Sequence, residues 1–361
     1  MHPLAALATG MLASVWAFGS AVAQSATSLP PGPKVSIITL TQPIPNVPQY
    51  TLVDKPWFGE ELPKRSGGRL VIKTGTWAEN SLSGPEILRL TRSGQVDIGA
   101  APLTTVSGDV PLLDGVDLAG MSPDIQKARR IAEAAVPTAN KELERVGVRI
   151  LGVFPYPAQV IFCRQGFSSI ADLKGRKIRT FGASLNDFVT ALGMQPVSIG
   201  FPEVYSALER GVVDCAVTGS GSGNSGKWPE VTTHMTTLPL FWAVTAYYAN
   251  LAWWNKLDPA VRGFLEANIK EIVDLQWKLG ADGSADGIAC NTGKADGCKI
   301  FNLVTKNPMT AVAAGPADQA QISKIFADTV LPGWVKRCGA RCGELYNEVI
   351  APISGVKYVA K

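Results

Sequence analysis

Apolar and polar residues alternate over positions 34–40, and that β-branched stretch reads as a strand. Short apolar runs at 70–75, 96–100, 149–154, 158–163 and 177–180 predict further strands. Between them the spacing widens to that of helices. One covers 48–65 and stops at Gly67-Gly68, and another covers 85–93, opened by Pro85 and closed by Gly94. Others follow at 122–146, 184–192 and 203–210, with a short helical turn at 168–173. Residues 237–254 read as a strand followed by a turn. The remainder is mainly helical, at 258–279 with an interruption near Gly280, and at 316–334.

One pattern occurs twice. Leu90-Thr91-Arg92-Ser93-Gly94-Gln95-Val96-Asp97 is echoed by Leu208-Glu209-Arg210-Gly211-Val212-Val213-Asp214. Each leads from an amphipathic helix through glycine into a short apolar strand with aspartate at its start. Two copies so far apart predict two lobes of similar build, and strands alternating with helices predict α/β lobes with largely parallel sheets.

The first residues set the expected compartment. An apolar run from Leu4 to Phe18 precedes Ala21-Val22-Ala23, a small-x-small cleavage pattern, so residues 1–23 are expected to be a cleaved signal peptide. The run is short for a spanning helix, and its amino-terminal side carries His2 but no Lys or Arg, which leaves a retained anchor as the alternative. Residues 25–34 form a Ser/Pro-rich leader. A net charge of +4 spread without a basic block gives no support to nucleic-acid binding. Six cysteines in an exported chain point to disulfides. Cys290 with Cys298, and Cys338 with Cys342, read as local pairs; Cys163 and Cys215, at the ends of two strand-like segments, offer a third. A four-cysteine zinc site is the rival, but neither C-x7-C nor C-x3-C is a usual zinc spacing.

Catalytic chemistry is thin. His234 is the one histidine beyond the leader, and no G-x-S-x-G elbow surrounds a serine, so a hydrolase built on His234 remains only an alternative. Gly221-Ser222-Gly223-Asn224-Ser225-Gly226 fits G-x-G-x-x-G, yet Pro229 follows too soon for a long phosphate-binding helix. Residues 218–225 read instead as a flexible loop bringing backbone amides close to a bound anion or a partner lobe, or as a plain surface linker. Arg179 stands in a β-branched strand beside Phe181-Gly182; it is either a buried guanidinium, which would need an acidic partner, or a surface arginine following the basic stretch Lys174-Gly175-Arg176-Lys177. Trp77, Trp228 and Trp242 lie in or beside loops, where they either line a pocket or fill the core.

The blocks Leu173-Lys174-Gly175-Arg176-Lys177-Ile178-Arg179, Leu192-Gly193-Met194-Gln195-Pro196 and Glu203 to Asp214 resemble, in order and spacing, the solute-binding subunits of TRAP (tripartite ATP-independent periplasmic) transporters. Gly94-Gln95-Val96-Asp97-Ile98-Gly99 fits the same family. The resemblance implies a two-lobed periplasmic-binding-protein-like α/β fold with a ligand cleft and a long connecting helix. Lobe I would take 24–156 plus about 243–284, and lobe II 157–242 plus about 285–361. It also implies a periplasmic monomer without cofactor or catalysis, which captures a small carboxylate and passes it to a membrane permease. A binding subunit of another transporter class, or a ligand-presenting sensor subunit, is the alternative.

Arg179 matches the residue that clamps the ligand carboxylate in that family. Gln159 stands where sialate-type members carry a second arginine, Thr218 where they carry asparagine, and Phe181 in place of the usual proline. Thr104 and Phe201 complete the candidate ligand contacts. Fewer charges and more aromatic groups imply a monocarboxylate with an apolar or aromatic body.

Overall fold

The strand-like runs assemble into two separate sheets. The computed structural model describes residues 28–360, so the expected signal peptide at 1–23 lies outside the described residues. In chain order the strands are β1 (Val35–Gln42), β2 (Leu70–Thr76), β3 (Ile98–Pro102), β4 (Val148–Phe154), β5 (Gln159–Cys163), β6 (Lys177–Thr180), β7 (Gln195–Ser198), β8 (Cys215–Gly219), β9 (His234–Thr236), β10 (Thr245–Asn250) and β11 (Thr310–Val312). The first sheet runs β2-β1-β3-β10-β4 and the second β11-β9-β5-β8-β6-β7. Parallel pairing joins β1 to β2 and β3, and β6 to β7 and β8. By contrast, β10 runs antiparallel to β3 and β4, and β5 antiparallel to β8 and β9.

The repeated sequence pattern has a physical purpose. In the first sheet Asp97 accepts a hydrogen bond from Ile38 N (2.7 Å) and donates its own N–H to Ile38 O (3.1 Å). In the second, Asp214 accepts from Lys177 N (2.9 Å) and donates to Lys177 O (2.9 Å). The same aspartate thus docks each helix–glycine–strand unit onto the neighbouring parallel strand. Gly94 and Gly211 turn with φ of +77° and +71°, the left-handed region that glycine enters without a Cβ penalty.

The chain crosses between the sheets twice at one place. Residues 155–158 carry it from β4 to β5, and residues 237–244 bring it back from β9 to β10. The crossings pair with each other through Tyr156 N to Trp242 O (3.0 Å), Gln159 N to Phe241 O (3.0 Å) and Leu240 N to Gln159 O (2.9 Å). A third link is the helix Pro259–Asn291, 33 residues long, whose start is capped by Asp258 accepting from Ala260 N. The expected interruption near Gly280 does not occur. A glycine is required there because Pro155 packs against the helix, 2.6 Å from where a Cβ would stand. The expected helix runs unbroken over 48–65, with wide π-type turns at Gln49–Asp54 and Trp57–Glu61 on either side of Pro56, which lacks the N–H that a regular α-helix needs.

Residues 218–225 do not form a loop: 218 and 219 end β8. The rest form the helix Ser220–Ser225, every residue of which is buried. Glycine serves close packing: a Cβ on Gly287 of the long helix would lie 2.3 Å from Gly221 N, and a Cβ on Gly221 would strike the Phe301 ring at 1.9 Å. The G-x-G-x-x-G pattern therefore holds two helices together. Gly287→Ala is expected to destabilise the fold by about 1–3 kcal/mol, because backbone rather than a side chain must move; an unchanged denaturation midpoint would refute this contact.

Three disulfides join the pairs read from the sequence. Cys163–Cys215 crosses the β5–β8 pair, Cys290–Cys298 closes the turn after the long helix, and Cys338–Cys342 lies near the C-terminus. Separate apolar cores lie on the two sheets. One contains Phe58, Tyr247, Tyr248 and Phe264, and the other Phe188, Phe241, Trp334 and Tyr346.

Candidate functional site

A cavity of about 550 Å³ lies where the two sheets face each other. Its walls come from three places. Trp77, Ser83, Thr104 and Ser107 belong to the first sheet's side, Arg179, Phe181, Asn186, Phe201, Thr218 and Ser222 to the second, and Tyr156, Gln159 and Ala243 to the crossings.

Arg179 is fixed from within its own lobe. Alternation along β6 turns Ile178 into one core and Arg179 to the opposite face, level with Ala216 of β8 and Val197 of β7. The guanidinium is 3% exposed. Its Nε donates to Ile199 O (2.8 Å) and its Nη1 to Val217 O (2.8 Å), and it stacks over Phe181 with Cζ 4.7 Å from the ring centroid. No carboxylate forms an ion pair with it among the described residues. Burial pulls its pKa down to about 9, with Glu203 acting weakly in the other direction. A planar cation with unused donors at the wall of a cavity has the geometry to pair with a carboxylate through two parallel hydrogen bonds.

The surrounding wall is held by buried polar groups. Tyr156 donates its hydroxyl to Gln42 Oε1 (2.5 Å), and Gln42 Nε2 in turn donates to Asp54 (2.6 Å). Asp54 also receives Tyr247 Oη (2.5 Å) and Gln276 Nε2 (2.9 Å), and its burial raises its pKa despite these donors. On the returning crossing Ala243 sits at φ +46°, an unusual conformation for a residue with a Cβ. Asp117 stabilises that turn by accepting from Trp242 N (3.1 Å) and Val244 N (2.8 Å), and burial pushes its carboxyl up to about 7.

The two sides touch around the cavity. Thr104, just after β3, packs so tightly on Gly182, just after β6, that a Cβ on Gly182 would lie 2.0 Å from Thr104 Oγ1. Ser83 packs on Gly200 in the same manner, with a prospective Cβ 2.8 Å away. Asn46 Nδ2 donates to Ser225 O (2.8 Å), and Asp114 accepts from both Ser184 N (3.0 Å) and Ser184 Oγ (2.8 Å). This is a closed cleft.

The sequence candidates divide accordingly. Arg179, Gln159, Phe181, Thr218, Phe201, Trp77 and Thr104 all border the cavity. Trp228 and Trp242 do not. Trp228 is buried behind the wall, stacked on Phe201 at 5.6 Å and edge-on to Phe162 at 5.4 Å, while Trp242 donates its indole N–H to Ser122 O within the crossing. Loop-like surroundings misled in both cases: each ring is large enough to form the core under a loop. His234 lies on β9 beside the Phe167 ring, with Thr233 Oγ1 2.9 Å from its Nδ1, and is not part of the cavity wall. Tyr156, Asn186 and Ser107 line the cavity beyond the sequence candidates, and Tyr156 had a signal in its place between Pro155 and Pro157 at the end of a strand. Ser222, within the glycine-serine motif at 218–225, lines it too.

Comparison with known proteins agrees with this architecture. The model of bacterial extracellular solute-binding proteins, family 7, matches residues 44–314. An uncharacterized protein of Sinorhizobium fredii is 28% identical over 64% of this chain, and the alignment spans 43% of that relative's length. The 2,3-diketo-L-gulonate-binding periplasmic protein YiaO of Escherichia coli is 24% identical over 62% of this chain and 69% of its own length. Among solved structures, the extracytoplasmic solute receptor DctP7 of Bordetella pertussis, which binds pyroglutamic acid, superposes with a TM-score of 0.74 at 21% identity, covering 86% of this chain and 98% of the receptor. A TRAP periplasmic solute-binding protein of Desulfovibrio salexigens with bound orotic acid gives 0.76 at 18% identity, covering 89% of this chain and all of its own. At these identities the structural likeness establishes the two-lobed fold.

Proposed function

The chain belongs to the family 7 bacterial extracellular solute-binding proteins, and from that premise we propose that it captures a small monocarboxylate with an apolar or aromatic body and delivers it to a TRAP membrane permease. The observation that carries this reading is Arg179, a buried cation with no counter-ion at the wall of a cleft closed between two lobes. In the proposed cycle the ligand carboxylate pairs with the guanidinium through two parallel hydrogen bonds while the lobes are apart. Closure then brings Trp77 and Thr104 over the remainder of the ligand, beside Phe181 and Phe201, and excludes water. The gain in contacts shifts the open–closed balance. Exclusion of water also strengthens the ion pair.

The working form is proposed to be periplasmic, freed of residues 1–23, and to bind without chemical turnover. No histidine, cysteine or lysine stands among the described residues that line the cavity, so the serines of its wall have no histidine or lysine base beside them there. The hinge is proposed to lie in the paired crossings, with lobe I built on the first sheet and lobe II on the second.

The test is a thermal-shift screen of the mature protein against small organic acids, aromatic monocarboxylates included. A ligand held only by the native state raises the melting temperature, by an amount set by its concentration relative to Kd. The expected result is a rise of several degrees for one class of monocarboxylate and none for its methyl ester. Equal shifts for acid and ester would remove the arginine clamp from the mechanism.

A further inference from the structure

Two buried hydroxyls at the cavity, those of Thr104 and Ser222, make no hydrogen bond among the described residues, and Thr104 is the one packed against Gly182. Ser222 is 4% exposed and borders the cavity, yet its Oγ makes no hydrogen bond among the described residues. Buried hydroxyls are nearly always hydrogen-bonded, so an orphan at a ligand cavity marks a bond that the ligand completes. The donors of its helix neighbours are used: Ser220 Oγ donates to Ser284 O (2.8 Å), and Asn224 Nδ2 to Asn291 Oδ1 (2.9 Å) and Leu303 O (2.8 Å), although Asn224 Oδ1, away from the cavity wall, accepts nothing among the described residues. Their donors tie the helix Ser220–Ser225 to the long helix and the loop after it.

Ser222 is not isolated. The point where Gly219 would carry a Cβ is 2.9 Å from Ser222 Oγ, 3.0 Å from Pro157 O and 3.1 Å from Gln159 Nε2. Glycine at 219 therefore leaves these polar atoms clustered with no side chain between them. Gln159 is steadied by donating to Pro157 O (2.9 Å) and itself borders the cavity. The cluster lies on the same strand end as the arginine: Arg179 Nη1 donates to Val217 O, two positions before Gly219 on β8. Trp77, Phe181 and Phe201 supply the aromatic part of the wall.

We infer that Ser222 is a specificity-determining residue whose hydroxyl, beside the Gln159 amide, receives a hydroxyl or carbonyl group that the ligand carries close to its carboxylate. This rests on the reading of Arg179 as the carboxylate clamp and narrows it to hydroxy- or oxo-monocarboxylates with an apolar remainder. A site built to bond a ligand oxygen discriminates strongly against the analogue lacking it, because its own polar group is then left unpaired.

The experiment uses matched acids on the full mature chain: 3-phenyllactate against 3-phenylpropanoate, and lactate against propanoate, by isothermal titration. The hydroxy member of at least one pair is expected to bind roughly tenfold or more tightly than its partner. Ser222→Ala is expected to reduce that preference to about threefold or less, chiefly by weakening the hydroxy acid, while the unliganded melting temperature stays within a few degrees. A preference that survives Ser222→Ala overturns the inference. So do pairs that bind equally in the parent protein; if that equal binding still requires Arg179, the clamp stands and only the role of Ser222 falls. Failure of all four acids to bind would count against both.

Discussion

Arg179→Ala is expected to weaken carboxylate binding at least about a hundredfold, roughly 3 kcal/mol, and to leave the fold intact. The size follows from the environment. With the cleft closed on a ligand, the pair is shielded from solvent, and removal of one partner strands the ligand carboxylate without a counter-charge. The fold survives because two effects oppose each other. Ile199 O and Val217 O lose their donors, but the protein also sheds a buried, uncompensated cation. The unliganded melting temperature should therefore move by only a few degrees. Arg179→Lys should not restore binding, since a lysine ammonium lacks the planar fork that holds Ile199 O and Val217 O and still presents two donors. The pH dependence has a definite sign. The pKa of about 9 in the empty cleft means that the charged, carboxylate-binding form prevails at neutral pH and is depleted above it. Affinity should be level between about pH 6 and 8 and fall as pH rises through about 9, by no more than about tenfold per unit. Titration calorimetry on both variants across that range decides it, and near-parental binding by Arg179→Ala would move the ligand elsewhere.

Gly182→Ala is expected to cost about ten- to a hundredfold in affinity by a different route. The new methyl group would stand 2.0 Å from Thr104 Oγ1 and 3.0 Å from Thr104 O. Gly182 has extended backbone, with φ −174° and ψ 162°, so alanine introduces no local strain. The collision exists only when the two sides meet, so the open form tolerates the substitution and the closed form does not. Binding is then charged with the free energy of holding the cleft ajar. Two measurements check this: calorimetric affinity, and the ligand-induced decrease in radius of gyration by solution scattering, which should shrink or vanish. Thr104→Ala in the same chain removes the nearer of the two atoms and should recover part of the loss, a coupling that a double-mutant cycle measures. Full compaction and parental affinity in Gly182→Ala would mean that the contact between Thr104 and Gly182 is not a stop for closure.

Much of the fold was legible because its signals are local. The glycine–apolar–aspartate pattern appears in both halves since Asp97 and Asp214 do the same work at equivalent strand junctions. The cysteine pairs were legible because two are neighbours in sequence and the third ends two recognisable strands. Long-range packing defeated the reading elsewhere. Glycine and serine at 218–225 suggest a loop, whereas Gly221 allows the approach of Gly287, far along the chain. Gly280, inside the long helix, likewise makes room for Pro155 and does not interrupt it. In the site, Arg179 was conspicuous as a charge in a β-branched strand, but the strand alone left its role undecided, and the resemblance of the surrounding blocks gave it one. Ser222 lay in a motif whose backbone amides drew the attention, while its hydroxyl did not, because the lack of a partner is a property of three-dimensional surroundings. Trp228 and Trp242 show the converse, in that position near a loop says little about which way a large ring turns.

The strand order of the first sheet also dictates a sequence of events. β10, at residues 245–250, lies inside that sheet between β3 and β4, although the second sheet's central strands precede it in the chain. Until it arrives, β3 and β4 have no strand between them, and their facing edges are unsatisfied. The amino-terminal lobe cannot complete itself as the chain grows, and a fragment ending near residue 156 would lack the strand that joins its two parts. Non-local closure of this kind is slow and leaves a long interval in which the chain remains extensible. An extracellular solute-binding protein built in this order is expected to finish its first sheet only after residues 245–250 have been made.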